Sequence, residues 1–259
     1  MNNLKGLKGT GLLLLPLLFL LAYGCSRDGD DSSTSSQNTC ENVGTSAVSG
    51  TGSSITLSGS IRYEDRVYDN NGFTGATTFK PVRLAAVEAV RCSDSAVLSS
   101  TNTDSTGGYL LVFTNTGAAG VHVRAIAEKG NTRIKNNTLA NAIYSFKSGA
   151  IDDSKGSTFT VNIDITASSG AGGAFNILDI FTDGTLFLEE LGITTTPVLT
   201  GFWENGSCDG TYFQGSDNSI HLFGGCSGDT DEYDDDIILH EFGHFVASNF
   251  SRDDSPGGS

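Results

Sequence analysis

The sequence predicts an α+β multidomain chain in which an all-β sandwich is followed by a smaller part that mixes helices and strands. Residues 55–166 hold seven short runs rich in β-branched and aromatic residues, separated by turn residues at intervals typical of a sandwich. After residue 173 the apolar period becomes that of a helix, and strand-like runs follow. The segment 234–250 again has a helical pattern, with acidic residues at its start.

Composition limits the classes of partner. The chain has 259 residues and a formal net charge of −15, from 15 basic and 30 acidic side chains. This balance excludes a nucleic-acid partner, because such binding needs a basic surface. It also opposes electrostatic attachment to anionic lipid.

The N-terminus predicts export. Lys5 and Lys8 precede the apolar run "GLLLLPLLFLLAYG", which is typical of a secretory signal. The run ends in "LAYGC", which resembles a bacterial lipobox, with Gly24 before the candidate lipidation site Cys25. The resemblance implies a signal peptide over 1–25 and a lipid anchor. Ser26 at the next position implies sorting to the outer membrane of the cell envelope, with the protein either periplasmic or surface-exposed.

Residues 26–54 are predicted to form a disordered tether, because they are polar and small and offer almost nothing to bury. The strand pattern then begins near Ile55. Within it, "TDSTGGYLLV", together with "PVRLAAVEAV" upstream and "VHVRAIA" downstream, resembles the carboxypeptidase regulatory-like domains. The resemblance implies a transthyretin-like sandwich over 55–166 that acts as a spacer or docking module. A linker is expected at 167–173 and the second domain at 174–259.

Four cysteines remain after Cys25, and in an exported chain they predict disulfides with three possible pairings. Cys208–Cys226 is favoured, because a bridge there would close two short strands. Cys40–Cys92 then follows by elimination. Zinc binding by these cysteines is not expected, because none has CxxC spacing.

The second part begins with a predicted helix over 174–191, in which Gly184 is a candidate break. Strand-like runs follow at "PVLTGFW", "GTYF" and "SIHLFGG". This order of a helix, then strands, then a further helix resembles the N-terminal half of zincin metallopeptidases, which implies that "SIHLFGG" is the edge strand beside a cleft. His221 on it is therefore a candidate cleft residue, although a histidine that faces solvent is the more common outcome.

The final helix contains the pattern His-Glu-x-x-His. His240 and His244 are four residues apart, so they lie one turn apart on one face and can close on one tetrahedral ion. Glu241 projects beside such an ion and can act as the base that takes a proton from its bound water. Gly243 costs the helix about 1 kcal/mol relative to Ala, which a close approach by another element would justify.

The string "DEYDDDIILHEFGHFV" resembles the active-site helices of zincin metallopeptidases. The resemblance implies zinc held by His240 and His244, Glu241 as catalytic base, and a peptide or protein substrate. The metzincin class is excluded, because Ala247 and Phe250 occupy its Gly and third-His positions. The gluzincin class takes a Glu from a later helix, which is not found before residue 259.

Asp253 and Asp254 match no known ligand spacing. The chain is therefore interpreted as an incomplete gluzincin-type metallopeptidase, inactive alone because it lacks the third zinc ligand. Ca²⁺ binding by the run "GDTDEYDDD" is not expected, because the run lacks EF-hand spacing and suits the start of a helix. The alternative function is a non-catalytic surface or periplasmic binding lipoprotein whose working part is the sandwich.

Overall fold

The computed structural model describes residues 52–69, 72–114, 120–139, 141–226 and 229–251. The predicted signal peptide, Cys25 and nearly all of the predicted tether lie outside the described residues. The described part is β-rich, as the sequence predicts, with fourteen strands and two α-helices. None of its helices is long and apolar enough to cross a membrane.

The first sheet is built around β1 (Ser54–Asp69). Its first half pairs antiparallel with β5 (Gly108–Thr114) and its second half with β2 (Gly72–Pro81). Its other edge pairs in parallel with β10 (Thr158–Thr160) and β11 (Ile163–Ile165). The long strand β1 is therefore shared by four neighbours.

The second sheet has the order β4-β3-β6-β9. It consists of β3 (Ala86–Arg91), β4 (Val97–Asn102), β6 (Val121–Ile126) and β9 (Ser145–Lys147). Neighbouring strands in this sheet are antiparallel.

Alternation along the strands fills the space between these two sheets. On β1 the residues Ile55, Leu57, Ile61 and Tyr63 are all 1 % exposed or less, and they share one core with the inward residues of β3, β5 and β6. Gly59 lies in the same inward row. A Cβ there would lie 2.0 Å from the carbonyl oxygen of residue 161, so the crossing chain requires glycine.

The third sheet has the order β13-β14-β12-β8-β7. Its strands are β7 (Glu128–Lys129), β8 (Thr132–Lys135), β12 (Leu199–Trp203), β13 (Tyr212–Gln214) and β14 (Ser219–Leu222). The strand β12 pairs in parallel with β8 and with β14. This sheet therefore joins strands from both sides of the predicted linker.

Two helices pack on one face of the third sheet. α1 (Gly172–Glu190) is buried along most of its length, and α2 (Asp235–Phe250) packs against α1, β13 and β14. The predicted linker residues form a 3₁₀ turn at Ala167–Ser169 and the buried start of α1. Arg83, which follows β2, also forms an ion pair with Asp179 of α1, with 2.6 Å between its Nε and Asp179 Oδ1.

Two expectations about this part are wrong. α1 continues through Gly184, because that glycine lies in a tight helix crossing and does not break the helix. "SIHLFGG" does not form an edge strand, because β14 lies between β12 and β13. The sheet edge on this side is β13.

Candidate metal centre

The helix that carries the histidines begins as its acidic residues predict. Asp234 is the N-cap, and its side chain accepts a hydrogen bond from the backbone N–H of Ile237. Asp235 and Asp236 lie in the first turn, where negative charge is favourable. The helix therefore begins at Asp235, directly after this cap.

The apolar residues of α2 fix which face turns outward. Ile238, Phe242 and Phe245 are at most 4 % exposed and pack into the core. His240 and His244 lie on the opposite arc and are exposed. The core contacts of the helix therefore present the histidine pair to solvent.

The two imidazoles converge. Nε2 of His240 lies 3.2 Å from Nε2 of His244, and the ring planes are 85° apart. Two nitrogens bound at about 2.0–2.1 Å to a tetrahedral zinc ion lie about 3.3 Å apart. The separation of the two nitrogens matches the edge of such a site, and it is also a hydrogen-bond distance between the two rings.

Glu241 lies at the boundary between the exposed and the buried arc. It is 8 % exposed, and its position is about 100° around the helix from His240. Its carboxylate is therefore beside the direction in which the histidines point. This placement suits a base that acts on a water molecule at the metal and does not suit a third ligand on the same side.

No third donor joins the pair in the part of the chain that the structure describes. No group of three or more His, Cys, Asp or Glu side chains there could hold a metal ion. Asp253 and Asp254 lie outside the described residues. Among the described residues, the structure therefore brings together two candidate ligands, His240 and His244.

The start of α2 is held by the β1–β2 hairpin, a contact that the sequence did not predict. The Tyr68 hydroxyl lies 3.1 Å from Asp234 Oδ1 and 3.3 Å from Asp236 Oδ2. Burial and these carboxylates raise the pKa of Tyr68 to about 12. Lys80 Nζ lies 3.6 Å from Asp235 Oδ2. The first turn of the histidine helix is therefore anchored to the first sheet.

Glu232 is a buried carboxylate just before the helix. It is 4 % exposed and lies against Gly173, where a Cβ would come within 2.4 Å of its Cγ. Burial raises the pKa of Glu232 to about 7, although the nearby Arg66 guanidinium opposes the shift. The glycine at the start of α1 is what leaves room for this side chain.

His221 is not brought to the histidine pair. Its ring stacks between Tyr212, at 4.6 Å, and Phe202, at 5.0 Å between ring centroids. The ring of Phe213, the next residue of β13, contacts Phe245 of α2. Because side chains alternate along a strand, Tyr212 and its cross-strand partner His221 face away from α2.

The environment of His221 is that of a packed strand residue. The ring is half-buried, and burial lowers the pKa of His221. Its Nε2 also lies 3.2 Å from Ser219 Oγ. These contacts account for the histidine without a metal or a substrate.

The expected disulfide Cys208–Cys226 is confirmed, with the two Cα atoms 5.2 Å apart. It closes the segment that contains β13 and β14. Cys92 is also disulfide-bonded. Cys40, its expected partner, and Cys25 lie outside the described residues.

Comparison with known proteins adds no family. No family model matches the chain, and no curated protein matches it. Among solved structures, the chain is similar to the major plantain pollen allergen Pla l 1, with 16 % identity, 44 % of this chain and 92 % of the allergen covered, and a TM-score of 0.27. It is also similar to a 9R-lipoxygenase from Cyanothece, with 12 % identity and a TM-score of 0.27. This match covers 63 % of this chain and 27 % of the lipoxygenase. Scores this low carry no argument about fold or function.

Proposed function

We propose that α2 carries part of a zinc metallopeptidase-type site, in a protein exported to the bacterial cell envelope and anchored there by lipid. The observation that carries the proposal is the 3.2 Å separation of the Nε2 atoms of His240 and His244. This separation matches the edge of a tetrahedral zinc site, and both rings face outward, where a metal and a substrate can reach them.

Each residue has a distinct role in this proposal. His240 and His244 hold the ion, and when bound the ion polarises a peptide carbonyl and acidifies a water molecule. Glu241 accepts the proton of the attacking water and can return it to the leaving amine. The substrate class is a peptide or protein.

Catalysis needs a third protein ligand, which the described residues do not supply. Two imidazoles alone hold zinc weakly, so the described residues by themselves are expected to lack peptidase activity. A complete site would keep three protein ligands and one open position. In this proposal, activity is limited by the missing third ligand and not by the positions of the two histidines.

Metal titration of the purified chain tests the proposal. We expect zinc binding that is lost in His240→Ala and in His244→Ala and retained in Glu241→Gln. His221→Gln serves as the matched histidine control and should bind zinc like the parent chain. Zinc binding that survives both alanine substitutions would overturn the assignment of the ligands.

The lipid anchor has its own test. Cys25→Ser should abolish labelling by a radioactive fatty acid and release the protein from the membrane fraction. Continued labelling of that variant would contradict the proposed anchor and leave the metal site unaffected.

A non-catalytic binding module is the second candidate, and one observation favours it. A cleft of about 420 Å³ opens between β9 and β11, with Lys147, Asp164 and Ser168 among its lining residues. Cavities of this size accept small ligands. Binding in this cleft would not depend on the histidines, so His240→Ala would leave it intact.

A further inference from the structure

One face of the first sheet carries no charged side chain. In the first half of this sheet β1 lies between β5 and β10, and the segments 54–60, 108–114 and 157–163 contain no Asp, Glu, Lys or Arg. The outward residues are serines and threonines on β1 and β10, and on β5 they include Leu110 and Val112. Together they form a neutral face on a chain whose net charge is −15.

The neutral face has an aliphatic centre. Leu110 is 59 % exposed and Val112 is 52 % exposed, and because they are two residues apart on one strand, both point away from the core. The neighbours of β5 among the described elements are β1 of the same sheet and β3 and β4 of the second sheet, and none of them removes these two side chains from water. An occupant that covers them is therefore favoured by the hydrophobic effect.

The charge-free end of this sheet is the end at which the N-terminal segment joins it. Ser54 is the first residue of β1 and directly follows the predicted tether. The first charged residues along β1 and its parallel neighbour are Arg62 and Asp164, which lie beyond Ser60 and form an ion pair at 2.8 Å. A lipid on Cys25 places the membrane at the far end of the tether, so the neutral face begins where the folded part is nearest to the membrane along the chain.

We propose that the neutral face docks on the zwitterionic lipid surface of the membrane that holds the lipid anchor. The inference rests on the lipid anchor of the proposed function and does not involve the histidines. Leu110 and Val112 enter the boundary between headgroups and acyl chains, and the surrounding hydroxyl groups form hydrogen bonds with the headgroups. The negatively charged surfaces of the chain face away from the membrane.

The tether makes a weak contact sufficient. With the dimensions of a random coil, residues 26–53 span roughly 30 Å. A linker of this reach gives the attached surface an effective concentration of about a millimolar. Two aliphatic side chains and a set of hydroxyl groups can therefore keep the folded part on the membrane, although they would not bind a chain that lacked the anchor.

Quenching by brominated lipid tests this with the full lipid-modified chain in phosphatidylcholine vesicles. Leu110→Trp places a fluorescent probe in the neutral face, and the single natural tryptophan, Trp203, is 2 % exposed and gives a constant background. Bromine on the acyl chains should lower the emission of this probe about twofold, because the side chain lies at their boundary with the headgroups. Leu191→Trp is the matched control, at a side chain that is 62 % exposed at the end of α1, and it should not be quenched.

A second substitution tests the neutral face itself. Val112→Asp adds a charge beside the probe, and in the Leu110→Trp background it should abolish the quenching while circular dichroism remains unchanged. Equal quenching at positions 110 and 191, or quenching that survives Val112→Asp, would overturn the proposed docking.

The remaining outcomes separate the docking from the anchor. If the emission of Leu110→Trp changes with protein concentration and not with brominated lipid, a second copy covers the face and the proposal is wrong. A chain that sediments with the vesicles but shows no quenching overturns the docking and leaves the anchor standing. A chain that does not sediment with the vesicles overturns both.

Discussion

The ring of Phe242 lies directly against Gly184, so α2 and α1 cross where neither helix has room for another side-chain atom. A Cβ at Gly184 would lie 2.5 Å from Phe242 Cε1. Phe242 is 4 % exposed, and its ring also packs 6.0 Å from that of Phe181, between centroids. Because Phe242 lies between His240 and His244 in sequence but on the opposite arc, this crossing determines the direction in which the histidines point.

The same substitution should have opposite effects at two helical glycines. Gly184→Ala should lower the free energy of unfolding by about 1 kcal/mol, because overpacking costs about 1–3 kcal/mol and the better helix propensity offsets up to about 1 kcal/mol. Gly243→Ala should raise it by up to about 1 kcal/mol, because that position faces solvent. Urea unfolding of both variants measures the difference. Equal stabilisation at both sites would show that the crossing has room for a methyl group.

The contribution to stability of the contact between the β1–β2 hairpin and α2 can be measured by removing the hydroxyl of Tyr68. Tyr68→Phe should lower the free energy of unfolding by about 1 kcal/mol or more, because the carboxylates of Asp234 and Asp236 lose a hydrogen-bond donor. Tyr212→Phe is the matched control at a side chain that is 43 % exposed, and it should change stability little. If the two variants unfold at the same urea concentration, the Tyr68 contact contributes nothing measurable.

Local patterns predicted the elements well. All seven expected runs of the sandwich contain a strand, and both predicted helices form within two residues of their expected starts. Asp234 was expected near the start of α2 and caps it. These features follow from side-chain alternation, helical periodicity and helix-start chemistry, which act over a few residues.

Features that depend on long-range pairing were not predicted. The strand β8 (Thr132–Lys135) is short and gave no separate signal, yet it pairs with β12, 67 residues later, and joins the two predicted domains in one sheet. Gly184 and Gly243 were given the wrong roles, because sequence cannot show which glycine meets a neighbouring ring. Of the candidate site, the histidine pair followed from spacing alone, whereas the Tyr68 contact had no sequence signal.

The disulfide Cys208–Cys226 should contribute substantially to stability. It closes a loop with a sequence separation of 18, and the chain-entropy relation gives about 3 kcal/mol for a loop of this size. Replacing both cysteines with serine should lower the free energy of unfolding by about that amount. The double variant avoids a free thiol, and its unfolding should no longer respond to a reductant through this bond. A loss below about 1 kcal/mol would mean that the segment is already ordered without the bridge.

Glu232 should make stability depend on pH near neutrality. Burial raises its pKa from 4.5 to about 7 in the folded protein, so between these values the folded state binds more protons than the unfolded state. The contribution of Glu232 to the free energy of unfolding therefore falls as pH rises from about 4.5 to about 7 and is constant outside that range. A shift of this size corresponds to roughly 3 kcal/mol.

Glu232→Gln removes this titration and retains the shape of the side chain. We expect the free energy of unfolding of the variant, relative to that of the parent chain, to be roughly 3 kcal/mol higher at pH 8 than at pH 4.5. Urea unfolding at both pH values measures this difference. Glu190→Gln, at the exposed end of α1, removes the same negative charge and should leave the parent's pH dependence unchanged. If the free energy of unfolding changes with pH in the same way for the parent and for Glu232→Gln, the Glu232 carboxylate must reach solvent when it is ionised. Glu232 lies two residues before the N-cap Asp234, so that outcome would mean that the contact between α1 and the start of the histidine helix opens.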